Sequence, residues 1–77
     1  MEDEDRLWAA LAAEVANQRR ARGLSQQELA DLCATTQSAI ARVERGVRPP
    51  RLDTLLRIAH ALDCELVVEL RPRTLID

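Results

Sequence analysis

Two helix starts, at Ser25 and Thr36, lie between Gly23 and Gly46, and this spacing constrains the fold more than any other feature of the chain. Ser25-Gln26-Gln27-Glu28 has the form of a capping box. In that motif the serine hydroxyl accepts from the backbone N–H three residues on, and the glutamate reaches back to the serine N–H. It opens a short helix, Gln26 to Cys33, whose inner face is Leu29, Ala30 and Cys33. Ala34-Thr35-Thr36 breaks that helix, and Thr36 caps another from Gln37 to Arg45, which Gly46 stops. The centre of the chain is therefore a short helix, a tight turn and a second short helix.

Leu7, Leu11 and Val15, with Ala12 beside them, mark an earlier helix from about Leu7 to Arg22, with Gly23 placed to end it in a left-handed conformation. After Gly46, Val47-Arg48-Pro49-Pro50 is a stiff connector. A fourth helix spans Leu52 to Leu62 and buries Leu52, Leu55, Leu56, Ala59 and Leu62. Leu66, Val68 and Leu70 then alternate with mostly polar neighbours, a two-residue period that predicts a strand ended by Pro72. Trp8 is the only aromatic residue, so the core must be aliphatic. The expected fold is all-α, four helices followed by a C-terminal β-strand. Residues 1–6 form a frayed acidic terminus, 7–63 the helical domain, 64–71 the strand and 72–77 a tail.

Net charge is −2, yet four of the thirteen acids are Glu2, Asp3, Glu4 and Asp5, which leaves nine against eleven Arg from Arg6 onward. Between residues 37 and 51, Arg42, Arg45, Arg48 and Arg51 face Glu44 alone, and such a local excess is what an anionic polymer meets. Cys33 and Cys64 lack partners at zinc-ligand spacing, and His60 stands alone, so no metal, disulfide or cofactor is expected. No nucleophile–base pair suggests an enzyme. With neither a membrane-length apolar run nor a signal-peptide pattern, the expectation is a cytoplasmic protein.

The third helix divides its surface between two tasks. Ile40 and Val43 point into the bundle, whereas Gln37, Ser38, Ala41, Arg42 and Arg45 share the opposite face. Glutamine can pair bidentately with adenine and arginine with guanine, while Ser and Ala allow close approach to a groove. A merely solvated face would carry more Glu and Lys and fewer small residues.

Residues 15–62 resemble the lambda-repressor-like helix-turn-helix of the Cro/CI or XRE family. The resemblance rests on Arg22-Gly23-Leu24-Ser25-Gln26-Gln27-Glu28-Leu29-Ala30, on Thr36 to Gly46, and on Pro50 to Leu62. It implies sequence-specific binding of double-stranded DNA. Gln26 would bind a phosphate through its backbone N–H and orient Gln37 with its side chain. Gln37, Ser38 and Arg42 occupy the base-reading positions, with Thr36 and Ala41 at the same surface. Arg45, Arg48 and Arg51 would hold the backbone, one of the last two entering the minor groove. Arg19 and Glu44 match a partly buried salt bridge between the first and third helices. Ala34 departs from the glycine usual in the turn, and Gln18 stands where the family places an apolar residue.

A lone strand cannot satisfy its own backbone. Two copies pairing through Leu66, Val68 and Leu70 would form a homodimer matched to a palindromic operator. These features fit a transcriptional regulator acting as a repressor. They fit equally an antitoxin of the HipB type that binds a toxin protein and represses its own operon. A third alternative is a protein-interaction module without DNA binding, for which the arginine cluster and the Gln37/Arg42 face would be accidental.

Overall fold

The structure is a computed structural model that describes residues 2–73. Four helices follow in order: α1 (Glu2–Ala21), α2 (Gln26–Leu32), α3 (Gln37–Arg45) and α4 (Leu52–Ala61). Val15, Leu29, Ala30, Cys33, Ile40, Ile58 and Leu62 form the central cluster, with Leu24, Val43, Ala61 and Cys64 packed around it. Leu29 and Ile40 are wholly enclosed. Truncating either to alanine would cost about 2–5 kcal/mol, a large share of the stability of so small a domain.

The central helices begin where their caps place them. Ser25 Oγ accepts from the Glu28 N–H at 3.0 Å and Glu28 Oε1 accepts from the Ser25 N–H at 2.8 Å, completing the capping box. Thr36 Oγ1 accepts from the Ala39 N–H at 3.1 Å. Each cap contributes about 0.5–2 kcal/mol.

Three of the helices share one kind of ending. Leu24 N–H donates to Arg19 O and Gly23 N–H to Arg20 O; Thr35 N–H to Ala30 O and Ala34 N–H to Asp31 O; Cys64 N–H to Ala59 O and Asp63 N–H to His60 O. This nested pair of bonds is the Schellman motif, which requires one left-handed residue. The residues that supply it are Gly23 (φ 68°), Ala34 (φ 56°) and Asp63 (φ 54°). Ala34 thus holds the turn between α2 and α3 in the geometry glycine would favour, at a strain of about 1–2 kcal/mol.

The fold departs from the sequence reading in three places. First, α1 starts at Glu2 rather than Leu7, so residues 2–6, expected to fray, are helical. Asp3, Glu4 and Asp5 place negative charge at the positive end of the helix dipole, and Arg6 pairs with Asp3 at 2.6 Å. Met1 lies outside the described residues. Second, α4 is rotated from the expected face: Leu55, Ile58 and Leu62 are buried, while Leu52 and Leu56 are 59% and 52% exposed. Apolar residues occur on so much of this helix that spacing alone did not choose the inner face.

Third, no strand forms among the described residues, and the segment from Cys64 to Arg73 has no regular structure. A single copy offers that segment no neighbouring strand to complete a ladder. Leu66 instead lines an apolar concavity between α1 and α4, with Leu11, Val15, Leu55, Ile58 and Leu62. Val68 and Leu70 are exposed. Residues 74–77 of the expected tail lie outside the described residues.

Gln18, at the position expected to be apolar, is half-buried and satisfied locally. Its amide donates to Glu14 at 2.8 Å and accepts from Arg22 at 2.7 Å. Cys33 and Cys64 are free thiols, and burial pushes the Cys33 thiol up against a smaller opposing influence from Arg57. Among the described residues no helix is long and apolar enough to cross a membrane.

Candidate nucleic-acid interface

Two contacts hold α3 against α1, both near the C-terminal end of α3. At its C-terminal end Gly46 adopts φ 69°, and a Cβ there would lie 3.1 Å from the Ala9 Cα and 3.0 Å from the Ala12 Cβ. Only a residue without a side chain lets the end of α3 come this close to α1. The second contact is an ion pair. Arg19, 8% exposed, donates from Nε to Glu44 Oε2 at 2.7 Å and from its NH2 nitrogen to Glu44 Oε1 at 3.0 Å. Its remaining terminal nitrogen donates to the Leu24 carbonyl at 2.7 Å. One guanidinium thereby joins α1, α3 and the turn that leads into α2.

Burial would by itself raise the Glu44 carboxyl. Hydrogen bonds from Arg19 and Gln26, with the charges of Arg19 and Arg20, outweigh that and hold it below the usual carboxylate range. The same hydrogen bond and charge raise Arg19, against the desolvation that would lower it. Both groups are therefore ionised at neutral pH.

Gln26 begins α2 and Gln37 begins α3, and their side chains meet: Gln37 Nε2 donates to Gln26 Oε1 at 2.6 Å. Gln26 Nε2 in turn donates to Glu44 Oε1 at 3.0 Å. Sequence reasoning paired Glu44 with Arg19 alone. The Gln26 link joins residues far apart in the chain, and nothing in the sequence signals it.

The outer surface of α3 carries Ser38, Arg42 and Arg45, all exposed, with Ala41 half-buried between them. Thr36 is exposed too, but its hydroxyl is engaged in capping. Arg42, Arg48 and Arg51 line one shallow concavity with Thr35, Pro49, Pro50 and Thr54. The two prolines thus fold the connector back so that its arginines stand beside the third helix. Arg45 lies on the same helix outside that concavity. Among the described residues Arg42, Arg45 and Arg48 make no ion pair, whereas Arg51 Nε lies 3.2 Å from Asp53 Oδ1. Asp53 lies two residues past the segment whose charge was counted from sequence, so Arg51 offers less free charge than its neighbours.

This arrangement is a short capped helix held across another, its outer face small and basic. The helix-turn-helix profile HTH_3 matches residues 15–68. The chain belongs to that family. It is 39% identical over 69 residues to an HTH-type transcriptional regulator of Haemophilus influenzae, covering 88% of this chain and 70% of that one. It is 44% identical over 50 residues to the HTH-type transcriptional regulator y4dL of Sinorhizobium fredii, covering 65% of this chain but only 26% of the relative. Among solved structures, the restriction-modification controller protein C.AhdI from Aeromonas hydrophila superposes with a TM-score of 0.76 at 36% identity, covering 82% of this chain and 91% of that one. An HTH_3 family transcriptional regulator from Vibrio cholerae gives 0.74 at 29% identity, over 80% of this chain and 35% of that one. The lambda-repressor-like, all-helical fold and membership of a DNA-binding regulator family follow; the relatives are named as regulators, not enzymes.

Proposed function

We propose that the protein is a cytoplasmic transcriptional regulator, a repressor that binds a palindromic operator as a homodimer. The observation that carries this reading is the outer face of α3, where small and polar residues stand beside three arginines free of ion pairs. In this reading α3 enters the major groove. Gln37, Ser38 and Arg42 contact base edges, and Thr36 and Ala41 lie close against the DNA. Arg45, Arg48 and, more weakly because of Asp53, Arg51 hold the phosphates, and the Gln26 backbone N–H binds another at the start of α2.

The homodimer pairs the two C-terminal segments as antiparallel strands through Leu66, Val68 and Leu70. The exposure of Val68 and Leu70 in a single copy supports this, because pairing would cover them. It would also place two recognition helices about 34 Å apart, one per half-site. Relatives named as transcriptional regulators, and a structural neighbour titled a restriction-modification controller, favour this reading over a toxin-binding antitoxin and over an interaction module that ignores DNA.

The experiment is to select duplexes from a randomised library, then measure affinity against salt for the selected and for random sequence. A preferred duplex with inverted symmetry, and a steep salt slope on both, is the expected result. Equal affinity for all sequences, or no binding, refutes it.

A further inference from the structure

We infer that Glu44, which does not itself face the outer surface of α3, sets which base Gln37 prefers by fixing the polarity of two side-chain amides in series. The inference rests on the reading above in which Gln37 contacts a base edge. A carboxylate can only accept hydrogen bonds, and an amide can donate from one end and accept at the other. Glu44 is locked by the Arg19 fork, at 2.7 and 3.0 Å, so its oxygens cannot turn away. Gln26 must therefore meet it with its NH2 end, as the 3.0 Å contact has it. That leaves Gln26 Oε1 facing Gln37, and an oxygen requires a donor there; Gln37 Nε2 supplies it at 2.6 Å. Gln37 is left with one N–H and its own Oε1 to present. A donor beside an acceptor complements adenine, whose N7 accepts and N6 donates, and mismatches guanine, whose N7 and O6 both accept.

Changing Glu44 to glutamine unlocks the series. The oxygen that accepts from Gln26 also accepts from the Arg19 NH2 nitrogen, and Arg19 Nε takes the other oxygen, so an amide has one oxygen for two positions that both demand one. Either orientation sets its NH2 group against one arm of the guanidinium, and neither is fixed. Gln26, and through it Gln37, then loses the constraint on its polarity, and adenine is no longer favoured over guanine. Glu44 is in this sense a positioning residue for base choice, at two amides' remove.

The test compares wild type, Gln37→Ala, Glu44→Gln and Gln26→Met by selection from a randomised duplex library, followed by affinity for every single-base variant of the selected duplex. Circular dichroism and thermal melting of each protein check that it is folded. Gln37→Ala locates the base pair that Gln37 reads. There, wild type should prefer adenine over guanine by about five- to a hundredfold, the discrimination of one bidentate contact. Glu44→Gln should erase that ratio at this base pair alone. Gln26→Met keeps the Arg19–Glu44 pair but cuts the series, so it should erase the ratio too, and it decides the matter should Glu44→Gln not fold. Folded variants that keep the wild-type ratio overturn the relay while leaving Gln37 as a base reader. Equal loss at all base pairs means a merely structural role and also overturns it. No base pair responding to Gln37→Ala refutes the base-reading assignment beneath it.

Discussion

Replacing Gly46 with alanine, with Gly23→Ala as its control, measures how rigidly α3 is held against α1. The two glycines share a left-handed backbone, φ 69° and 68°. Alanine at either site carries a backbone penalty of about 1–2 kcal/mol, offset by about 0.4–1 kcal/mol because it restricts the unfolded chain. A Cβ at Gly23 meets nothing within 4 Å, so Gly23→Ala should cost at most about 1.5 kcal/mol. At Gly46 the Cβ would sit 3.0 Å from the Ala12 Cβ and 3.1 Å from the Ala9 Cα. Neither atom can rotate away, so the helices must part, at a further cost of about 1–3 kcal/mol, as in overpacked cores. In a domain of this size each kcal/mol lowers Tm by about 4–8 °C. Gly46→Ala should therefore melt at least about 4 °C below Gly23→Ala, with urea unfolding giving the same order. It should also bind DNA less well, because the end of α3 that carries Arg45 is displaced. Two variants that unfold within about 0.5 kcal/mol of each other would refute the argument and show the α1–α3 approach to be soft.

Other consequences are as direct. Arg42→Ala should lose about 1–3 kcal/mol on the preferred duplex and much less on random DNA, whereas Arg48→Ala should weaken both alike and flatten the salt dependence; equal losses from Arg42→Ala would remove it from the base readers. Ala34→Gly should raise Tm by relieving left-handed strain of about 1–2 kcal/mol, less the entropy of glycine, and a fall would contradict the φ of 56°. Val68→Pro should keep the helix signal, sediment as a monomer and lose most operator affinity, and a dimer that survives it would place the interface on α4, where Leu52 and Leu56 are exposed. Glu44 titrates below its unfolded value, so its contribution is present above that value, about pH 4.3, and is lost as pH falls through the folded one. Urea midpoints between pH 6 and 3 should accordingly fall less steeply for Glu44→Gln than for wild type, and parallel curves would show that Glu44 contributes nothing to acid stability.

What the sequence by itself determined is whatever closes within a few residues. The starts of α2 and α3 were legible because the Ser25–Glu28 and Thr36–Ala39 bonds span three residues and need no tertiary partner. The left-handed Ala34 was legible only through resemblance, since alanine carries no local sign of it, and Asp63 gave none either. The early start of α1 was missed because its acidic run was read as a frayed terminus, not as charge suited to a helix N-terminus. The outer face of α3 could be read from its residue types, since a helix fixes which side chains share a side. Tertiary structure alone decided the rest. The face α4 buries depends on how it docks, which made Ile58 core and left Leu52 and Leu56 in solvent. The strand period of Leu66, Val68 and Leu70 was real as a pattern, but a strand needs a neighbour, and the described residues of one chain supply none. The bond from Gln26 to Glu44 exists only because Arg19 brings α3 across the start of α2, and a contact made by packing leaves no trace in the spacing of the residues that make it.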